Sequence, residues 1–297
     1  MDFKFGTLIA GLLLSLLLYT PIKSIEATQQ NDLLVVVADF MATNHSATNS
    51  SHTESFVQML TNINETTEFA FINAANPYNV IGPIKSNQDD FDIQVSKFIN
   101  QLSQNSNYNN DGLMLALKES HTILGLENAS GNSGVFLITG QSTRKFDGLA
   151  AQTAPLTHSF KSKGWQIDGI ALPDHNSESI YFLDQVTNST GGELFKLTIP
   201  DGYEQLINRL INKNSLKTLN NVATNKLALN ESMISAIDIL PGTTETTVVI
   251  LRESTLGQMS VGNPSGYLTS RMANQTIILD SPHVLIWKQF EPAPGNW

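Results

Sequence analysis

The hydrophobic pattern of the chain centres on one short run, Leu33 to Asp39. Five apolar residues, three of them β-branched, lead through Ala38 into a carboxylate. A continuous apolar run that is too short for a helix is typical of a strand buried on both faces. Such strands lie in parallel sheets, which bind ligands beyond the carboxyl ends of the strands where the strand order reverses. The pattern therefore places Asp39 at the edge where a site would form.

Strand-like and helix-like segments alternate through the first two thirds of the chain. Four further strands are predicted, at 68–73, 134–139, 165–172 and 193–197. One of the helices between them is predicted to begin at Thr53, after a solvated polar loop that includes His52. Another should begin at Pro155, which suits a first helical turn, and end at Gly164. The alternation predicts a Rossmann-like, doubly wound α/β fold with a mostly parallel sheet flanked by helices.

The pattern changes near Leu216, and no helical period is present from Met233 onward. Five short strand-like runs follow, at 234–240, 246–251, 258–261, 276–279 and 284–290. Turn sequences rich in Pro, Gly and Asn separate them, which predicts an antiparallel β-sandwich. We therefore expect an α/β domain at 31–215 and a sandwich module at 216–297. Because the sequence stops at Trp297 directly after a turn, we expect the sandwich to be truncated.

Residues 1–27 have the pattern of a signal peptide. Lys4 provides a short positive region, an apolar stretch runs from Leu8 to Tyr19, and the small residue Ala27 is a plausible cleavage point. The apolar stretch is short for a stable membrane span. We expect a secreted or cell-surface protein whose signal peptide is cleaved, and an uncleaved anchor is the alternative.

Composition and charge exclude several kinds of site. The 297 residues contain no cysteine, which excludes zinc–thiolate centres, thiol nucleophiles and disulfides. A formal net charge of −10 argues against nucleic acid and anionic membranes as partners. The six histidines lack metal-binding spacing, and the turn at 140–144 lacks the second glycine of a nucleophile elbow. We expect no enzymatic activity and no small-molecule substrate.

Asn-x-Ser/Thr sequons make the chain a candidate glycoprotein. The candidate acceptors are Asn44, Asn49, Asn64, Asn128, Asn188, Asn230 and Asn274. A chain this rich in Asn, Ser and Thr would contain about five sequons by chance, so an ordinary polar surface explains most of them.

In the segment 160–195 a helix ends at Lys-Gly, a strand turns into a polar loop, and a second helix stops at Gly-Gly before a strand. With this segment as its strongest part, the region from 31 to about 213 resembles a von Willebrand factor A-type domain. Three further segments fit the family in the right order: 33–39, 107–117 and 135–140. The tail, with an Asn-Pro-Ser-Gly turn at 263–266 and the segment 291–297, is similar to the module that follows the A domain in hemicentin-like extracellular proteins.

The resemblance implies a metal-ion-dependent adhesion site, which holds Mg²⁺ or a similar cation through hard oxygen ligands. That site uses Asp-x-Ser-x-Ser after the first strand, a Thr before a later helix, and an Asp after the fourth strand. In this chain Asp39 is kept and Thr43 can replace the second Ser. Met41 offers only a thioether where the first Ser would stand, and a thioether is a poor ligand for a hard cation.

The remaining two positions of the implied site also depart from the family pattern. The Thr position falls on Asn107 or Asn109, depending on register, and Gly140 replaces the last Asp. One firm ligand of five predicts a vestigial site and no cofactor. The alternative is a weak Mg²⁺ or Ca²⁺ site built from Asp39, Thr43 and Asn107 or Asn109.

Polar loops are predicted to surround the same edge of the sheet. They include Asn44 and His45 after the first strand, and Gln141 and Ser142 after the strand at 134–139. Such a rim can hydrogen-bond an extracellular protein or glycan. We therefore expect an exported, non-enzymatic interaction or adhesion module that works without a divalent cation. The alternatives are cation-dependent adhesion through Asp39, and a scaffold or accessory domain of a larger membrane or enzyme complex, anchored through a missing C-terminal region.

Overall fold

The computed structural model describes residues 32–39, 47–63, 67–104, 111–140, 146, 148–173, 175–197, 201–213, 238–251, 261–262, 268–269, 275–280 and 284–297. All of them belong to one unit, Asn31–Trp297. The predicted signal peptide and the predicted boundary near Leu216 lie outside the described residues. Among the helices of the described ranges, none is both long and apolar enough to cross a membrane.

A mostly parallel sheet forms the centre of the fold. Its strands are β1 (Leu33–Asp39), β2 (Glu68–Asn73), β3 (Ile81–Lys85), β4 (Gly134–Thr139), β5 (Gln166–Ala171) and β6 (Leu194–Lys196). They lie in the order β3-β2-β1-β4-β5-β6, and β3 alone among these strands runs antiparallel to its neighbour. Every residue of β1 is buried, as its continuous apolar run predicts.

Helices cover both faces of this sheet. On one face pack α1 (Ala47–Ile63), α2 (Phe91–Gln104) and α6 (Asp201–Lys213); on the other pack α3 (Gly112–Leu126), α4 (Leu149–Ser162) and α5 (Ser177–Thr190). Alternate residues of β1 are divided between the two cores, with Val36 in the first and Val35 and Val37 in the second. This arrangement confirms the predicted doubly wound α/β fold class.

Helix α1 begins earlier than the hydrophobic pattern predicts. It starts at Ala47 rather than at Thr53, and His52 lies buried inside it. The reason is a tertiary contact, because His52 Nδ1 lies 2.9 Å from the hydroxyl of Tyr203 in α6. A polar side chain that finds its partner on a distant helix gives no apolar signal, so the prediction of a solvated loop at His52 is wrong.

Helix α4 also begins earlier than predicted. It starts at Leu149, which places Pro155 inside the helix rather than in its first turn. Gly164, with a φ of 78°, ends the helix region as predicted. Pro155 is tolerated because both it and Ala151, the residue four positions earlier, are exposed, so the carbonyl of Ala151 is not buried without a partner.

Small antiparallel sheets follow in the C-terminal part. Their strands are β7 (Asp238–Ile239), β8 (Glu245–Leu251), β9 (Val261–Gly262), β10 (Leu268–Thr269), β11 (Gln275–Asp280), β12 (Val284–Phe290) and β13 (Gly295–Asn296). The described pairings form the sheets β11-β12-β8, β10-β9 and β13-β7. The rings of Trp287 and Trp297 lie 6.0 Å apart and bring the chain after β13 beside β12. The antiparallel character is confirmed, and the truncated module at 216–297 stays a prediction.

One face of the β11-β12-β8 sheet packs against the helical layer. Val284 and Ile286 of β12 belong to the same hydrophobic cluster as residues of α1 and α6. Alternation along the strand puts Lys288 on this inner face, where it is 0% exposed. Its Nζ lies 3.5 Å from Oε1 of Glu245 in β8, and burial lowers the pKa of Lys288 to about 8. The contact therefore contains a buried cation as well as apolar side chains.

Candidate functional site

The strand order of the central sheet reverses between β1 and β4, because the chain passes from β1 to β2 on one side and reaches β4 on the other. In open α/β sheets, ligands bind at such a reversal, beyond the carboxyl ends of the strands. Asp39 ends β1, Thr139 ends β4, and the two residues are partners in the register. Val37 and Leu137, two positions earlier, pack under α3, α4 and α5, so alternation turns Asp39 and Thr139 to the same face.

In the described part of this reversal, the polar side chains at the ends of β1 and β4 are few and buried. Asp39 is 2% exposed and Thr139 is 0% exposed. Among the residues that the structure describes, the hydroxyl of Thr139 has no hydrogen-bond partner, which is rare for a buried polar group. Gly140, also buried, follows without a side chain. The described part of the site thus supplies one carboxylate and one unsatisfied hydroxyl, which by themselves do not fit the several oxygen ligands of a hard cation.

Histidine 175 lies in the loop that leaves β5 at the same edge. The backbone N–H of Leu172 donates to the carbonyl of Thr139 at 2.9 Å, which ties this loop to the end of β4. His175 Nδ1 in turn lies 2.6 Å from the carbonyl of Leu172. When Nδ1 donates in this bond, Nε2 is left as the acceptor of the ring. The sequence assigns His175 no role, because a lone histidine carries no motif.

The end of β2, on the other side of β1, is closed by its own hydrogen bonds. Asn73 accepts from the backbone N–H of Ala75 at 2.9 Å, and its amide donates to the carbonyl of Gln101 at 3.3 Å. Asn73 therefore shapes the turn and ties β2 to α2. In the part of the chain that the structure describes, no three His, Cys, Asp or Glu side chains are grouped so that they could hold a metal ion.

Most of the predicted site residues fall outside the described ranges. Asp39 lies at the strand end where it was predicted. The structure does not describe Thr43, Asn107, Asn109, Asn44, His45, Gln141 or Ser142, so the weak metal site and the polar rim stay predictions. Of the glycosylation candidates, Asn128 and Asn188 are exposed. Asn49 lies in α1 with its side chain outside the described residues, and Asn44, Asn64, Asn230 and Asn274 lie outside altogether.

An ion-pair network occupies the opposite, amino-terminal edge of the sheet. Arg209 of α6 donates to Gln166 Oε1 at 2.7 Å, and its guanidinium lies 3.5 Å from Asp168 and 3.1 Å from Glu193. Asp168 also accepts the backbone N–H of Glu193 at 2.9 Å. The network holds α6 against β5 and the start of β6. Sequence reasoning missed it because its members are up to 43 residues apart.

A histidine–serine pair also lies near the amino-terminal edge. His121 Nε2 in α3 lies 2.8 Å from Ser159 Oγ in α4, and the rings of Phe160 and Trp165 pack edge-on to it at 5.1 and 5.3 Å. Burial and, second, the charge of Lys163 lower the pKa of His121. The pair joins α3 to α4.

Comparison with known proteins adds little beyond this geometry. Neither a protein-family model nor a curated protein matches the sequence. Solved structures do match. One is proximal thread matrix protein 1 from the mussel byssus, at 17% identity and a TM-score of 0.38, covering 61% of this chain and 46% of that protein. Another is the N-terminal domain of TFIIH p34, at 14% identity and a TM-score of 0.39, covering 61% of this chain and 97% of that domain.

This chain spans less than half of the length of the mussel protein. At TM-scores this low, neither likeness decides a fold or a function. The fold described above rests instead on the strand order and the register, which agree with the α/β fold that the resemblance to a von Willebrand factor A-type domain implies.

Proposed function

We propose that this chain is an exported, non-enzymatic protein-interaction module whose binding face is the carboxyl edge of the sheet between β1 and β4. The observation that carries the proposal is the buried, unsatisfied hydroxyl of Thr139 beside Asp39 at the reversal of strand order. An unsatisfied polar group has a free-energy cost, which marks this edge as less optimised for stability. Because Thr139 and Asp39 are almost inaccessible, the proposed partner contacts the surface above them rather than the hydroxyl itself. Ligand-binding faces of open α/β sheets lie at this position.

The proposed recognition works without a divalent cation. A hard cation needs several oxygen ligands, most of them anionic or strongly polar, in one coordination shell. In this chain Gly140 has no side-chain oxygen and Met41 offers sulfur where the family pattern has a hydroxyl. Among the described residues at the ends of β1 and β4, Asp39 is the one carboxylate, and it compensates half of the charge of a divalent ion. In the proposed mode the partner therefore contacts the protein directly.

The first experiment is a calorimetric titration of residues 28–297 with Mg²⁺, Mn²⁺ and Ca²⁺, beside the variant Asp39→Ala. The expected result is no heat of binding and no thermal stabilisation at millimolar cation. Heat that is present in the parent chain and lost in Asp39→Ala would contradict the proposal and support the cation-dependent alternative.

A repair experiment tests the location of the site. The double variant Met41→Ser with Gly140→Asp restores a hydroxyl and a carboxylate near Asp39, and Met41→Ser alone is its control. We expect the double variant to bind Mn²⁺ and the control to bind none. If the double variant binds no more Mn²⁺ than the parent chain, the edge at Asp39 does not have the inferred geometry.

A binding screen tests the partner face. The chain is immobilised and probed with an array of purified extracellular proteins, beside Asp39→Arg and the control Asp238→Arg, whose side chain is exposed on β7. A partner of the proposed kind is bound by the parent chain and the control but is lost in Asp39→Arg. Partners that bind all three proteins equally would place the interaction elsewhere.

A further inference from the structure

An open groove runs between α4 and α5, away from the reversal of strand order. Its volume is about 500 Å³, which lies in the range of small-ligand sites. Ala150 and Ala151 on α4 leave the space open because their side chains are small. Asp184, Gln185 and Asn188 line the opposite wall on α5. The groove therefore has polar side chains on its α5 wall and small side chains on part of its α4 wall.

The α4 wall contains a backbone carbonyl that the helix does not use in the ordinary way. Pro155 has no N–H, so it makes no helical hydrogen bond to the carbonyl of Ala151. Ala151 lines the groove and is exposed. Its carbonyl oxygen thus keeps capacity to accept a hydrogen bond from a ligand.

The hydroxyl groups in the groove have already used their hydrogens. Thr153 and Thr157 are buried, and each donates to the carbonyl three residues earlier at 3.0 Å. Ser189 donates to the carbonyl of Gln185 at 2.6 Å. A hydroxyl that donates within its own helix offers only its lone pairs to a ligand.

The lining as a whole is therefore rich in acceptors. The carboxylate of Asp184 adds negative charge to it, and the amides of Gln185 and Asn188 can both accept and donate. Such a wall disfavours an anion, because acceptors and a carboxylate repel it. It favours a ligand that brings several hydrogen-bond donors.

An exposed aromatic ring lies one helical turn before this wall, next to the lining residues and not among them. Tyr181 is 65% exposed and precedes Asp184 and Gln185 by three and four residues, so it shares their face of α5. An aromatic ring gives an apolar surface with a polar tip. A pyranose sugar offers both matching features, since its hydroxyls donate hydrogen bonds and its C–H face packs on an aromatic ring.

We propose that the groove between α4 and α5 binds a neutral saccharide. The ligand donates hydrogen bonds to the Ala151 carbonyl and the Asp184 carboxylate, the Gln185 amide holds it on the opposite wall, and Tyr181 packs against its apolar face. The site is separate from the face around Asp39, and it stands or fails independently of that face.

The test uses the full chain produced in a bacterial host, so that the sequon at Asn188 in the groove stays unmodified. A glycan array selects the sugar, and saturation-transfer NMR with methyl mannoside and N-acetylglucosamine measures its contact with the protein. We expect Tyr181→Ala and Gln185→Ala each to weaken the affinity by about tenfold. The matched controls Tyr78→Ala and Gln205→Ala replace the same residue types at exposed positions elsewhere and should leave the affinity unchanged.

Pro155→Ala is the sharpest variant. It restores the N–H that binds the Ala151 carbonyl and should stabilise α4, while the affinity for the sugar falls severalfold. A loss of affinity in a variant that is more stable is not a folding defect.

Three results would overturn the assignment. The first is that the parent chain binds no sugar on the glycan array. The second is that the groove variants and their controls bind the sugar with equal affinity. The third is binding of spermidine without binding of any sugar, which would show an amine site.

Discussion

The buried side-chain oxygens at the two edges of the central sheet are satisfied to different degrees. At the amino-terminal edge, buried side-chain oxygens accept backbone N–H groups: Ser133 from Leu33, Thr190 from Ile167, and Asp168 from Glu193. At the carboxyl edge, the hydroxyl of Thr139 is buried beside Asp39 and has no partner within the described ranges. Satisfied groups stabilise the fold, whereas an unsatisfied one has a free-energy cost. In the described part of the amino-terminal edge the buried atom without a partner is a nitrogen, Arg209 Nε, so the contrast between the edges concerns their side-chain oxygens. It agrees with a structural role for the amino-terminal edge and with the proposed binding face at the carboxyl edge.

The largest effect is expected from breaking the network of the amino-terminal edge. Arg209→Leu leaves Asp168, which is 1% exposed, without its guanidinium. Removing one partner of a buried ion pair strands the other charge, so the free energy of unfolding should fall by about 3 kcal/mol in urea denaturation. The control Glu193→Gln alters a carboxylate that is 55% exposed and should cost less than about 1 kcal/mol. Equal losses in both variants would contradict a structural role for this edge.

The second-largest effect is expected from Lys288, the buried cation of the C-terminal sheet, and it is a dependence of stability on pH. In the folded protein Lys288 loses its proton near pH 8, and in the unfolded chain near 10.5. Between these values the unfolded chain binds more protons, so the free energy of unfolding should rise with pH, by about 3 kcal/mol at most. Above pH 10 Tyr203 opposes the rise, because burial raises its pKa and the unfolded chain loses that proton first.

The variant Lys288→Met isolates this pH dependence. It should lack the rise between pH 8 and pH 10 and be more stable than the parent chain at pH 7, since no charge is buried. Denaturant unfolding at several pH values measures both quantities. A parallel pH dependence in the variant and the parent would exclude Lys288 as its source.

The smallest changes in the free energy of unfolding are expected when threonine is replaced by valine, once at each edge. Thr190→Val removes the acceptor of the Ile167 N–H and should cost about 1–2 kcal/mol. Thr139→Val removes a hydroxyl that has no partner, so the free energy of unfolding should stay unchanged or rise by about 1 kcal/mol. Thermal and denaturant unfolding of the two variants measure the contrast. A larger loss at Thr139 than at Thr190 would remove the distinction between the edges.

Five of the six strands of the central sheet were predictable almost to the residue, whereas β3 was not predicted. The predicted runs 68–73 and 134–139 are strands β2 and β4, because a short strand buried on both faces must be apolar throughout. The starts of α1 and α4 were not predictable from the same pattern. His52 is polar but buried, so it does not follow the rule that polar residues before a helix form a solvated loop. Pro155 lies inside a helix on an exposed face, so it does not follow the rule that proline marks the first helical turn.

The candidate site was predictable in part for the same reason. Asp39 was placed correctly because it directly follows the apolar run, and Gly140 because it directly follows β4. The unsatisfied state of Thr139 had no signal in the sequence, since a threonine inside a strand ordinarily belongs to its packing. The groove between α4 and α5 had no signal in the sequence either, because it depends on how these two helices pack beside each other.

The sequence by itself determined the class of the fold, the position of the buried strands and the carboxylate at the end of the first one. These features depend on residues that are neighbours along the chain. Only the tertiary structure decided which polar groups are satisfied. The partners are distant, with Ser133 accepting from Leu33 across 100 positions and His52 meeting Tyr203 across 151. Hydrogen bonds over such distances arise when the sheet and its helices pack together, and no local pattern encodes them.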